Sequence, residues 1–590
     1  MLNLTYQLLK LFAEGVLPAT AVQSLAGAAF KDGWGSGDAV AEKLAELGSG
    51  GRRPSNVLRD LLRLSRRIGV AEVMPEPYAV RVPGPNGSHR NVNVFLPHEQ
   101  AHMTITKDGV EKFRASDRDW QGGVGVAGLV QRWSADAGID PARDVLAVGL
   151  HADGVSYTAT QRVGQSRSAA VSAWNFFTPA ADHARGQRFL FFAVSKSLLC
   201  NCGCEGFHTV DELNGVFAWS MEALRAGQAP LRRHDGTAFS TADRKARLRG
   251  RLACRAALLQ VRGDWEWLVQ AVRLRRYSAE HFCWMCSATH AGPLAYLDVS
   301  DTAPWRATLV THEAYLEQLA REGHAPSKLF LAPGFRLEFI SVDSMHTVDL
   351  GLFADAAGGL IWLEISNKSL HNSFSDGIAF INKELESYYS ANPGLSPLHV
   401  TLPGVRPTDG GYPSLKAKVA ACRHLGPFLQ YLVRRHQFIG YQLEDERLAP
   451  YSGEYITLAV QLADRYVGFH RSCEMMPFNA ADCQEQMLSF LSVYSQLRLL
   501  FRRHIPLAAQ GAQPFGTRPK LHMADHLVRE RIHLYGSPRH FWCYGDEDFV
   551  GLVKRICVQT RHPRTMESRI ISKYRLYAAL HAFALGVGLV

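Results

Sequence analysis

No stretch of this 590-residue sequence stays apolar for the roughly 20 residues that a bilayer-spanning helix needs; the tail Leu576–Val590 stops short and reads as a buried helix. No membrane segment is expected. The opening residues, Met1–Lys10, lack the basic start of a secretory leader and continue as an amphipathic helix. No internal repeat or low-complexity tract stands out either. Charged residues are only 20% of the chain and apolar ones 47%, so no region has the composition of a disordered segment. The 11 cysteines are odd in number and unevenly clustered, which speaks against a disulfide framework. Thiols in a reducing compartment are expected instead, serving metals or cores.

What is present is a long, globular and moderately basic chain. Its length calls for roughly two to four domains. Lys and Arg number 65 against 55 Asp and Glu, a net +10 and a pI near 9.0. That balance points to a polyanionic partner, nucleic acid first, with an incidentally basic soluble protein as the bland reading. The sequence reads in five regions: a helical region 1–70, a small strand-and-turn α+β region 71–142, a first core part 143–289, a helical insertion 290–510 and C-terminal core helices 511–590. Within the first, Asn56–Arg67 has an apolar face opposite an Arg/Asp face that suits DNA phosphates or plain solvent equally. Gly123–Gly128 matches GxGxxG, but Asp117-Arg-Asp-Trp-Gln121 before it is no apolar strand, so the dinucleotide context is missing.

From 143 the pattern sharpens. Asp144–Leu150 reads as a strand ending in His151-Ala-Asp153-Gly154. Ala169–Phe177 and Arg188–Ser195 follow as strands, then a helix over Thr209–Leu224, then an apolar run Ala256–Val261 that stops at Gly263-Asp264. The last connection is a crossover, which permits parallel pairing of the fourth strand with the first. Asp153 and Asp264 would then emerge side by side, where open α/β sheets place their sites. The expected fold is α/β, with an RNase H-like core interrupted by a large all-α insertion and preceded by a small helical region.

The chemistry-bearing residues continue from there. Cys283 and Cys286 stand at metal-ligand spacing, and His522 and His526, four apart, share one helix face. Together they make a closed, structural two-Cys, two-His set, with His346 as a rival ligand. Cys200, Cys202 and Cys204, in the run Leu199–His208, either bind a zinc of their own or contribute to the first. Glu547, flanked by Asp546 and Asp548 at the start of an amphipathic helix, is the candidate third carboxylate. Phosphoryl transfer with two divalent cations needs several such carboxylates and little covalent help. His234-Asp235 would offer a competing carboxylate, but no strand leads into it. Arg244, Lys245, Arg247 and Arg249, and Lys554 and Arg555 beside Glu547, read as phosphate contacts or as solvated helix faces.

In this order the motifs resemble those of the DDE transposases of the CACTA (En/Spm) and related Plavaka-type superfamily, and more closely the expanded transposase-like proteins of dinoflagellate genomes. The matching pieces are His151-Ala-Asp-Gly154, Cys200-Asn-Cys-Gly-Cys204, Arg233-His-Asp-Gly236, Gly263-Asp-Trp265, Cys283-Trp-Met-Cys286 and Ala303-Pro-Trp-Arg306. Met345–Gly351, Lys520–His526 and Tyr544–Gly551 complete the series. The resemblance implies Asp153, Asp264 and Glu547 binding Mg²⁺ or Mn²⁺, structural Zn²⁺ at the CxxC, Met-His and paired-His motifs, DNA as partner and a nuclear location. Self-association stays open, and so does a catalytically inactive, transposase-derived scaffold that binds DNA or protein.

Overall fold

The apolar runs around the two aspartates fold as strands because they are buried on both faces. In the computed structural model, β1 (Tyr78–Pro83) and β2 (His89–Val94) form an antiparallel hairpin. A second sheet holds β3 (Val145–Ser156), β4 (Ser168–Phe176), β5 (Arg188–Ser195) and β6 (Arg255–Gly263), in the order β5-β4-β3-β6. β3, β4 and β5 pair antiparallel in sequence, and β6, reached through the helix Phe207–Ala226, pairs parallel with β3. The described residues are 3–34, 37–65, 74–114, 125–157, 167–177, 188–407, 411–504, 513–560 and 563–584. Gly123 lies outside them, and Gly125–Asp136 is a helix.

The chain divides into two units. Unit 1 comprises Met1–Leu274, Leu316–Ile340 and Tyr544–Val590; unit 2 comprises Arg275–Tyr315 and Ser341–Cys543. Segment 316–340, which the sequence reading counts within the helical insertion, thus belongs to unit 1.

Unit 1 is a mixed α/β body. One sheet face, carrying Val155, Val171, Ala173, Leu190 and Ala193, is covered by Phe549, Val550, Val553 and Ile556 of the helix Tyr544–Thr560 and by Met566, Ile570 and Tyr574 of the helix Pro563–Ala584. The opposite face meets the crossover helix, where Phe191 and Phe217 stack edge to face at 5.3 Å. It also meets the helix Pro97–Asp108, where Trp174 Nε1 donates to Gln100 Oε1 at 2.7 Å. Helices between Asn3 and Ser65 bury Leu9, Phe12, Val22, Leu44 and Leu61 together with Leu576 and Leu580. The apolar C-terminal run is accordingly part of a core through Leu580, and no helix of the described residues is long and apolar enough to cross a membrane.

β3 is longer than the sequence pattern predicts. It continues past His151 to Ser156 because β4 goes on pairing with it, Asp153 opposite Val171. Relative to β6 the expectation holds: parallel pairing stops at Ala152↔Gly263, and the two aspartates are the next residues on each chain. Gly263 is required there. A Cβ would stand 2.9 Å from the Ala152 carbonyl oxygen and 2.7 Å from the Trp267 ring.

Unit 2 is built of helices, among them Ala354–Ser366, Phe374–Ala391, Gly426–Ile439, Ser452–Glu474 and Ala480–His504. Between Ala354–Ser366 and Phe374–Ala391 the helical pattern is broken. Asn367 turns the chain, donating to the Gln442 carbonyl and accepting from the Ser369 amide, and Ser373 caps the next helix at Asp376 N. Short Asn and Ser side chains favour such local bonds over helix interiors.

Candidate metal centre

In unit 2 the residues Cys283, Cys286, His522 and His526 converge. Their ligand atoms lie within 4.8 Å of one another and all four side chains are buried. The two cysteines sit in a tight turn. The Met285 amide donates to Cys283 Sγ at 3.3 Å, and Val310 N donates to the Met285 carbonyl at 2.9 Å, fixing the turn to a neighbouring segment. The histidines project from one face of the helix Lys520–His526, as their spacing predicts.

The spacing of the four atoms fits a tetrahedral cation. Zinc bonds of about 2.3 Å to sulfur and about 2.0–2.1 Å to nitrogen imply S···N edges near 3.6 Å and N···N edges near 3.3 Å. Here Cys286 Sγ is 3.2 Å from His522 Nε2, and the two Nε2 atoms are 3.0 Å apart. Outer groups hold the ligands in place. His526 Nδ1 faces Glu530 Oε2 at 2.9 Å, and Trp305 stands edge-on to the rings of His522 and His526 at 4.3 and 5.4 Å. Arg306 lies over Trp305 and grips Asp525 with two bonds of 2.6 and 2.7 Å. This is the layered support that metal-ligating histidines usually carry.

The protons in this set are polarised. Hydrogen bonding from Cys283, then from His522 and His526, holds Cys286 down to about 3 against its burial. Burial, reinforced by the Cys286 charge, drives Cys283 upward. Burial depresses His522. For His526 burial is outweighed by Cys286 and Glu530, which raise it to about 9. A thiolate and an imidazolium thus neutralise each other where a dication would displace protons.

Two further sets occur within single units. Cys202 and Cys204 join Cys200 and His208 in unit 1, and His346 joins Asp343 and Cys543 in unit 2. His346 Nδ1 faces Asp343 Oδ2 at 2.7 Å, and the same carboxylate accepts the amides of Met345 and Cys543 at 3.0 and 2.9 Å. His346 therefore stands apart from the Cys283 set. His208, Asp343 and Cys543 are not among the ligands that the sequence analysis singles out, although His208 closes the run Leu199–His208. The available signal was His208 itself, four residues after Cys204 and eight after Cys200.

The carboxylates lie in unit 1. Asp153 shares by alternation the β3 face of His151 and Val155, the face covered by the helix Tyr544–Thr560. Asp264 is the N-cap of the helix Trp265–Val272 and accepts from Trp267 N at 2.6 Å. Asp153, Asp264 and Glu547 are not among the sets whose oxygens all approach within 4.8 Å. Of the acidic trio, Asp546 is engaged elsewhere. Its carboxylate takes Arg262 Nε at 2.9 Å and Arg188 Nε at 2.7 Å, and all three side chains are 9% exposed or less. Against its burial, Arg262 and then Arg188 and His151 hold Asp546 well below the usual carboxylate range. Arg262 also donates to Gln260 and to Asn175 Oδ1. Asp548 is exposed, and Glu547 is half-buried between them.

Arg244 and Arg249 are exposed, Arg249 bonding the Arg244 carbonyl at 2.8 Å. Arg247 differs: its guanidinium is buried against Glu99 at 2.8 Å. The Lys245 side chain lies outside the described residues. Lys554 and Arg555 are exposed on the helix Tyr544–Thr560. The Asp235 carboxylate caps a turn through Thr237 N and Oγ1.

No family model matches the chain, and no curated protein matches it.

Proposed function

We propose that this chain is a nuclear, DDE-type phosphoryl-transfer protein of the transposase class, cutting and joining DNA on an RNase H-like core. The observation that carries the reading is the register at the end of β6. Parallel pairing stops at Ala152↔Gly263, so Asp153 and Asp264 follow on adjacent strands. The sheet order β5-β4-β3-β6, with three antiparallel strands and a parallel fourth after a crossover helix, supports the same fold. Glu547 comes from a helix that packs on the face to which Asp153 belongs. With Asp546 held by two arginines, Glu547 is the acid of that trio best suited to serve as a ligand.

Mg²⁺ or Mn²⁺ held by these three carboxylates would activate the attacking oxygen and stabilise the leaving one; cations roughly 4 Å apart let flanking carboxylates stand further from each other than the ligands of one ion. Asp153 and Asp264 would orient the scissile phosphate over the β3–β6 edge. Exposed Arg244, Arg249, Lys554 and Arg555 would contact flanking phosphates, and zinc at Cys283, Cys286, His522 and His526 would be structural. Asp264→Asn tests this well, because Asn caps a helix as well as Asp while removing the charge. Mn²⁺-dependent DNA cleavage should disappear with the fold intact; unchanged cleavage would overturn the assignment.

A second reading, a non-catalytic scaffold, is favoured by the capping bond that engages one Asp264 oxygen. It expects DNA binding indifferent to divalent cations and to Asp153→Asn.

A further inference from the structure

The loop Cys200–His208 presents four soft ligands at the surface of unit 1, and the phosphoryl-transfer reading does not use them. Their atoms lie within 4.8 Å of one another, with Cys202 and His208 exposed, Cys204 half-buried and Cys200 buried. Cys200 Sγ is 3.3 Å from Cys202 Sγ, too far for a disulfide of about 2.05 Å. His208 Nδ1 is 3.3 Å from Cys202 Sγ and 3.8 Å from Cys200 Sγ. A tetrahedral zinc site has S···S edges near 3.8 Å and S···N edges near 3.6 Å. The two S···N edges straddle their value, and the S···S edge is shorter than its own.

The backbone is shaped to aim these atoms inward. Gly203, Glu205 and Gly206 all take positive φ, 92°, 52° and 87°, which coils the chain so that alternate cysteines converge instead of splaying. Gly206 has a steric reason as well, since a Cβ there would lie 2.8 Å from Leu199 Cδ1. The loop is pinned from outside by bonds that leave the sulfurs untouched. Asn201 exchanges two hydrogen bonds with Asn86 of the β1–β2 turn, at 2.7 and 2.9 Å. Thr209 Oγ1 accepts from Cys200 N at 2.8 Å and donates to the Pro83 carbonyl at 2.6 Å. Gln270 donates to the Glu205 carbonyl. Every one of these contacts fixes backbone or amide groups around the four ligand atoms.

We infer that Cys200, Cys202, Cys204 and His208 form a second metal site, a three-sulfur, one-nitrogen cradle for a thiophilic d¹⁰ cation of the zinc class. It is separate from the buried centre and open to solvent on the Cys202 and His208 side. Binding deprotonates the thiols and releases those protons to solvent, with no change of oxidation state. Its role is to clamp the β1–β2 turn to the start of the crossover helix. Because two ligands are exposed, this ion exchanges with chelators, whereas an ion enclosed by Cys283, Cys286, His522 and His526 does so only when unit 2 opens.

The test uses the full chain, produced with zinc and assayed for bound metal by elemental analysis. The double variant Cys202→Ser, Cys204→Ser should lose about one equivalent of zinc per chain, the fraction a mild chelator removes from the wild type, with the circular dichroism spectrum retained. His208→Ala, at an exposed position, should weaken retention of the same equivalent. Replacing zinc with Co²⁺ in the wild type should give tetrahedral bands with sulfur charge transfer that this double variant diminishes. Unchanged metal content and cobalt spectrum in the double variant would overturn the site, and so would native thiol titration that finds Cys202 and Cys204 freely reactive in zinc-loaded protein. Absence of DNA cleavage by the wild-type chain with this zinc bound would instead count against the catalytic reading alone.

Discussion

In unit 1 the Asp546 carboxylate sits between Arg262 and Arg188, nearly sealed from solvent and with its charge answered by its own chain. In unit 2 Cys283, Cys286, His522 and His526 are sealed to a similar degree, with their ligand atoms within 4.8 Å of one another. His522 Nδ1 has no hydrogen-bond partner there. Burial of polar groups is tolerated where they find an opposite charge or a dipole, as the Asp546 carboxylate does on both sides. The difference is that the first cluster is an ion pair complete within the chain, while the second is a set of soft ligands that could hold a cation. Removing a partner should therefore damage the two in different ways.

The largest effect is expected in unit 2. Structural zinc contributes on the order of 10 kcal/mol to the folding of small metal domains. Chelation after partial denaturation, or Cys286→Ser, should unfold unit 2, read as loss of amide protection over 275–315 and 341–543 with the sheet of unit 1 still protected. Equal protection with and without metal would erase the contrast.

Next in size is Asp546→Asn. Breaking a buried pair from one side costs about 3–5 kcal/mol because the remaining charge is uncompensated, and here two arginines are left. The folded-state carboxyl lies below its ordinary value. Its contribution is thus fully present above the unfolded value of about 3.9 and fades as the pH falls through the lower folded one. The variant should lose stability at neutral pH in a denaturant titration, and its profile should be flatter below about pH 4.

Smaller again is Arg306→Lys, which keeps the charge but loses the two-pronged grip on Asp525 and the stacking on Trp305. Outer-layer changes of this kind lower metal affinity about 10- to 100-fold, measurable by chelator competition. The smallest change in stability is expected from Arg244→Ala with Arg249→Ala, both exposed. Under the DNA-binding proposal, that pair should instead reduce the slope of log affinity against log salt by about 2.

The strands were legible because runs such as Val145–Leu150 and Ala256–Val261 are buried on both faces and contain little else. The Cys283–Cys286 turn and the His522–His526 helix face could be placed because Cys-x-x-Cys and a four-residue His spacing are short-range patterns whose geometry travels with the local backbone. The Arg262–Asp546 pair was not read, since its members are 284 residues apart. A clue did exist: an arginine at the end of a mostly apolar, buried strand needs an acid or other polar partner. Nor could spacing reveal that Arg247 turns inward, because Glu99 lies 148 residues earlier. The extra length of β3 depends on its partner, β4, and nothing in His151-Ala-Asp-Gly154 marks it.

After the first stretch of unit 2, Leu316–Ile340 returns to unit 1. Within that unit, Trp133 donates to the Pro333 carbonyl, Asp211 receives the Lys328 amide and the Ser327 hydroxyl, and Ile340 makes a parallel bridge with Val261 at the free side of β6. For anyone editing the gene, the helical unit is therefore not a cassette. Splicing residue 274 directly to 544 would discard a piece of the sheet domain along with it and strand the buried Trp133 indole without an acceptor. A minimal unit 1 needs three separate stretches of sequence joined by two linkers.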